Sequence, residues 1–142
     1  MASINTLTTD TWNHLYTYLQ TTNPISTNNI FSALNSTLVE NKGYPLVIIY
    51  PPLTSIEKLS VSGEHVISTI TVLFEIYHTS SQSVKSLRDE VVATLLAGRK
   101  VFAGQGLKRM NLSGGDYDTW EEGKKKVHRT SFDVVFTFSE VV

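Results

Sequence analysis

The stretch VISTITVLFEIYH, Val66–His78, alternates apolar and polar residues for most of its length and stops at TSSQ. Ile70, Val72, Phe74 and Ile76 share one face of an extended chain, while Thr69, Thr71, Glu75 and Tyr77 share the other. A period of two predicts a strand with the first set on a core and the second toward solvent or a neighbour. Leu73 interrupts the polar set, so part of that face is expected to be covered. The terminal segment, Val127–Val142, repeats the pattern: Phe132, Val134, Phe136 and Phe138 point one way, and Ser131, Asp133, Thr137 and Ser139 the other. At roughly 25 cal/mol per Å² of apolar area, four such side chains bury several kcal/mol, which makes this strand central to the core.

Between these strands, Val84, Leu87, Val91 and Leu95, widened by Val92 and Leu96, form the stripe of a helix over Val84–Gly98. Thr79 with Gln82, or Ser81 or Ser83 alone, offers an N-cap, and Gly98 suits a left-handed C-cap. A polar segment rich in glycine and charge, Gly104–Lys126, then leads to the final strand. Upstream of Val66, Trp12, Leu15, Tyr16 and Leu19 define a helix over Thr9–Gln20 that Asp10 or Thr9 can cap. Asn23-Pro24 ends it. A weaker helical pattern covers Asn28–Leu38. The apolar run Leu46–Tyr50 reads as a strand covered on both faces, closed by Pro51-Pro52, which cannot donate to a ladder. Ile56–Val61 is a further strand, joined to Val66–His78 through Ser62-Gly63-Glu64 as a hairpin.

These elements predict an α+β protein with one domain spanning 1–142. A mainly antiparallel sheet of four to five strands packs against two or three helices and carries a long polar hairpin or loop. With 41% hydrophobic and 18% charged residues, the 142-residue chain has the composition of a globular domain. A net charge of −1 gives no broad electrostatic reason to bind nucleic acid or an anionic membrane. There is no cysteine for disulfides or thiolate metal sites, no secretory signal in the first ten residues, and no apolar run of membrane-spanning length.

No catalytic set emerges from these residues. His14, His65, His78 and His128 lie in different elements without metal-ligand spacing. Asp116, Asp118, Glu121 and Glu122 form an acidic cluster, but Gly123 is misplaced for a calcium loop. LSGGD (112–116) lacks the Lys-Ser/Thr of a phosphate cradle. Lys124, Lys125 and Lys126, with His128 and Arg129, follow the acids directly. Acid, Gly123, base is the order of a charged hairpin whose arms attract each other or meet opposite signs on an adjacent copy. Tyr117 and Trp120 within it either serve as interface anchors or fold back on the core. The candidate assembly interface is therefore Arg109, Asp116, Tyr117, Asp118, Trp120, Glu121, Glu122, Lys124, Lys125 and Lys126.

GYPLVIIYPP (43–52), FEIYHTSS (74–81), VKSLRDEV (84–91) and HRTSFDVVFTF (128–138) together resemble the tail terminator, or tail completion, proteins of long-tailed bacterial and archaeal viruses. The similarity lies in element order over Lys42–Val142. It implies a non-enzymatic virion protein without cofactors, assembled in the host cytoplasm and placed at the head-proximal end of the tail. Such a protein forms a ring, typically six-fold, on the tail tube. The ring ends tube polymerisation and provides the head-docking surface. The implied partners are further copies of the chain, the tail tube protein, a head-connector protein and the tape-measure protein, with no membrane and no sequence-specific nucleic acid. A head-completion or head–tail connector ring is the alternative within this class. Outside it, the alternatives are a metal-dependent hydrolase or nuclease built on the acidic cluster and His128, and a stand-alone adapter domain unconnected with any virus.

Overall fold

The computed structural model describes residues 6–22, 30–32, 43–59 and 65–141. Along the chain run α1 (Leu7–Thr22), β1 (Ile30–Phe31), β2 (Leu46–Ile49), β3 (Leu53–Leu59), β4 (His65–His78), α2 (Ser81–Ala97), α3 (Arg99–Gly104), β5 (Lys108–Ser113), β6 (Tyr117–Glu122) and β7 (Lys125–Val141). The α+β class stands, with one mixed, mostly antiparallel sheet of seven strands and three helices.

The centre of the sheet is the β4–β7 pair, in register without a break from His65 opposite Val141 to His78 opposite His128. β2 and β3 lie end to end on the outer side of β4. Pro51-Pro52 separates them, as two residues without N–H groups must. β5 and β6 lie end to end on the outer side of β7, separated by 114–116. β1 adds a short parallel pairing to β2.

Alternation along β4 and β7 sends Ile70, Val72, Phe74, Ile76, Phe132, Val134, Phe136 and Phe138 to one face, where they meet α1, α2 and α3 in the main core. Phe74 and Phe132, directly opposite each other, stack at 5.1 Å. α2 contributes Val84, Leu87, Val91 and Leu95, and α1 contributes Leu7, Leu15 and Leu19. The Trp12 indole N–H donates to the Ile49 carbonyl at 2.6 Å and ties α1 to β2. The second face has its own smaller core of Leu46, Ile48, Tyr77 and Val127, with Phe31, Tyr44, Tyr50 and Trp120 against it. All four β2 residues are buried, as a strand covered on both faces requires.

Several expectations are corrected. Residues 104–126, expected as a long polar hairpin or loop, do include the β6 arm of a hairpin with β7, and beyond that they hold the end of α3 and a second edge strand, β5, because their backbone groups pair with the long β7. These short strands, with β1, raise the strand count above the expected four to five. Within the expected helix Asn28–Leu38, Ile30 and Phe31 form a strand, captured by the ladder of β2; residues 28, 29 and 33–38 lie outside the described residues. β3 starts at Leu53, immediately after the prolines, rather than at Ile56; Ser60, Val61 and the turn at 62–64 lie outside the described residues. α1 begins at Leu7, so Asp10 sits in its first turn rather than at its cap. The N-cap of α2 is Ser80, whose hydroxyl accepts from the Ser83 N–H at 3.3 Å.

Gly98 is not in the left-handed region: its φ is −86°. Its role is steric. A Cβ there would lie 2.5 Å from the Tyr18 ring, which is itself held edge-on against Phe102 at 5.0 Å. At a negative φ, Gly→Ala ordinarily stabilises by about 0.4–1 kcal/mol. Here Gly98→Ala is expected to destabilise by about 1–3 kcal/mol through overpacking, measured by urea unfolding. The Tyr18→Ala background should abolish or reverse that loss.

Candidate functional site

Two groups of polar side chains stand out on the β7 side of the molecule. The first is buried on the second sheet face and follows from the β4–β7 register, which sets Glu75 opposite Ser131 and Tyr77 opposite Arg129. Glu75 Oε1 accepts hydrogen bonds from the Tyr50 and Tyr77 hydroxyls, the latter at 2.9 Å. Its Oε2 accepts from Arg129 Nη1 at 2.6 Å, and Arg129 Nη2 donates to Asp116 Oδ1 at 2.9 Å. The Glu75 and Arg129 side chains are only 11% and 18% exposed. Glu75 and Tyr77 were expected to face solvent or a neighbour; instead each is buried and bonded.

The electrostatics match this arrangement. Burial raises the Tyr77 and Tyr50 hydroxyl pKa values, and the bonds to the Glu75 carboxylate raise them further. Burial opposes the Arg129 charge, but the Glu75 and Asp116 carboxylates outweigh it, so its pKa is raised. Arg129 therefore belongs to this network and not to the lysine run with which the sequence groups it. A carboxylate between two neutral phenols and a guanidinium ties β4 to β7 and to Tyr50, the residue that follows β2.

The second group is the sequence-derived candidate set, which falls along one edge of the sheet. Asp116 is tied down twice: its carboxylate holds Arg129, and its backbone exchanges bonds with Ser131 at 3.1 and 3.3 Å. Tyr117 is 49% exposed, and its hydroxyl meets His128 Nδ1 at 2.5 Å. Asp118 Oδ1 accepts from the Thr119 N–H at 2.8 Å. Trp120 packs edge-on against Tyr77 at 5.8 Å and donates to Glu122 Oε1 at 3.2 Å. Glu122 Oε2 also accepts from the Tyr44 hydroxyl at 3.0 Å.

The β6–β7 hairpin sets Glu121 opposite Lys126 and Glu122 opposite Lys125. Gly123, at φ +62°, supplies the first central residue that a II′ turn needs. Glu121, Glu122, Lys124, Lys125 and Lys126 are all exposed. Arg109 is apart from them, at the far end of the edge on β5.

His128 and the acidic residues do not converge. In the ladder, His128 and Tyr117 lie toward the helical face, whereas Asp116 and Asp118 lie with Arg129 on the other. Among the described residues, no three His, Asp or Glu side chains form a group that could hold a metal ion.

The Glu75 network was missed because Glu75 reads as the polar half of an alternating strand, and its partner Arg129 is 54 residues away. One signal was present: a carboxylate flanked by Phe74 and Ile76, with phenols at Tyr50 and Tyr77.

Arg129→Met leaves Glu75 buried without its cation and is expected to cost about 3–5 kcal/mol, whereas Glu75→Leu with Arg129→Met should restore most of that loss. Chemical denaturation of the two single variants and the double variant measures both. The Tyr44 hydroxyl is pushed up to about 12, first by burial and then by the Glu122 carboxylate. A phenol whose pKa is higher in the fold keeps its proton there longer than in the unfolded chain. Its stabilisation is thus intact below pH 10 and lost as the pH rises from 10.0 toward about 12. Melting temperatures across that range should fall less steeply in Tyr44→Phe. No protein-family model and no curated protein matches this chain.

Proposed function

We propose that this protein acts by assembly, as a ring-forming virion protein that caps a tail tube and offers a docking surface to the head. The observation that carries this reading is the β6–β7 hairpin, in which acids and the Tyr117 ring on the edge strand β6 stand exposed beside lysines of the turn and of β7. Exposed aromatics among interspersed charges are the makeup of an interface that selects its partner by electrostatic complementarity.

The sheet supports the same reading. Among the described residues, β3 pairs only with β4, while β5 and β6 pair only with β7, so opposite sides of the sheet end in strands with open outer edges. Leu53, on the β3 side, is 75% exposed. Different surfaces on opposite sides suit head-to-tail contacts, which close into a ring when the rotation between neighbours allows it. The element order shared with tail terminator proteins favours a tube end as the place where the ring forms. In this function the Glu75–Arg129 network keeps the hairpin base rigid, so that a neighbour meets a fixed surface and loses little entropy in ordering it.

Electron microscopy of the purified protein, alone at high concentration and mixed with tail tubes, tests the proposal. Rings, or caps on tube ends, are the expected result. A strictly monomeric chain with no affinity for tubes would sink it, and rings that bind a head connector but no tube would move the protein to the connector class. Lys124→Glu, Lys125→Glu and Lys126→Glu together should abolish ring formation. Because all three side chains are exposed, the melting temperature should change little.

A further inference from the structure

We infer that the β5 end of the sheet holds a binding pocket for a dianionic oxyanion of the phosphate or sulfate class. On the second sheet face, Ile67, Lys108, Arg109, Thr137 and Ser139 line a pocket of about 290 Å³. The register sets Lys108 opposite Thr137 and Ile67 opposite Ser139, so residues from three adjacent strands converge there.

The key observation is the backbone at Arg109. Lys108 pairs with Thr137 and Asn111 with Val135, so Arg109 and Met110 together oppose Phe136 in a β-bulge. Without the bulge, Arg109 would alternate to the helical face, above the core. Instead it takes φ +53°, the sole left-handed non-glycine among the described residues, and lines the pocket beside Lys108. Left-handed backbone costs an L-residue roughly 1–2 kcal/mol. Bulges often re-aim a side chain next to a functional site.

Lys108 and Arg109 are both exposed at the pocket. Neither Lys108 nor Arg109 has an ion-pair partner among the described residues. Two neighbouring cations of the same sign attract an anion to the space they share. A doubly charged oxyanion matches both charges, and the Thr137 and Ser139 hydroxyls supply further donors for a tetrahedral group. A single carboxylate would leave one charge unmatched. Ile67 offers an apolar wall to any organic substituent the oxyanion carries. This role assigns Arg109 to a ligand and not to a neighbouring copy, and it holds whether or not the chain forms rings.

Calorimetry on the full chain in a low-salt, phosphate-free buffer tests the pocket with inorganic phosphate, sulfate, phenyl phosphate and the monoanion diethyl phosphate. Saturable binding of the dianions, with diethyl phosphate weaker, is expected. Tighter binding of phenyl phosphate than of inorganic phosphate identifies a phosphate group on a larger molecule; the reverse identifies the free ion. Lys108→Gln and Arg109→Gly should each weaken binding by at least about tenfold, the loss of one charged donor. Arg109→Gly should also leave thermal stability unchanged or raised, since glycine takes the positive φ without strain. Absence of dianion binding to the wild-type chain, or binding that survives the Lys108→Gln/Arg109→Gly double variant, overturns the inference.

Discussion

The ladder between β4 and β7 is the constraint on which the rest of the molecule depends. It pairs the whole of a 14-residue strand with most of a 17-residue one, without a bulge. Every other strand except β1 pairs directly with one of these two. Because side chains alternate with a strict period of two, fixing this register fixes both faces at once. A slip by one residue would move Phe132, Val134, Phe136 and Phe138 off the helices and drive Arg129 into the main core. Irregularity is confined to the outer strands, at Pro51-Pro52, at Glu57 and at Arg109, where it leaves the central pair undisturbed.

The two faces then diverge in chemistry. The helical face is mainly apolar, with Ser68, His128 and Thr130 as its buried polar residues. The second face receives one carboxylate, Glu75, at a depth where an unpaired charge would be costly. Arg129 of β7, Tyr77 of β4 and Tyr50, which directly follows β2, converge on it, and Asp116 shares the guanidinium. Such a network adds little net stability over apolar packing, but its geometry is demanding. It fixes where the β6–β7 hairpin leaves the sheet, and so links a buried group to the orientation of the exposed charges at Glu121–Lys126.

Much of this fold was legible in the sequence. The two central strands and α2 are long, and each repeats one period over enough residues to override local noise. The apolar run Leu46–Tyr50, bounded by prolines, was equally readable. What was hidden depends on contacts distant in sequence. Ile30 and Phe31 are strand because β2 lies beside them, against a local pattern that favours helix. The segment 104–126 carries no long period, and its strands exist because β7 offers them a free edge. Gly98 was expected to satisfy a backbone preference, yet it yields space to Tyr18. At the hairpin, the residue types and the Gly123 turn were readable, whereas the attachment of Asp116 to Arg129 was not. The Arg109 bulge left no signature in the sequence at all.

The position of the aromatic residues has one further consequence. The chain has two tryptophans. Trp12 packs against the main core and bonds to β2 from the helical side. Trp120 packs with Tyr77 on the opposite face, at the base of the charged hairpin. Each indole is therefore an optical reporter for one layer of the molecule. With one of them replaced by phenylalanine, the fluorescence of the other would follow the loosening of its own layer alone, without an added label.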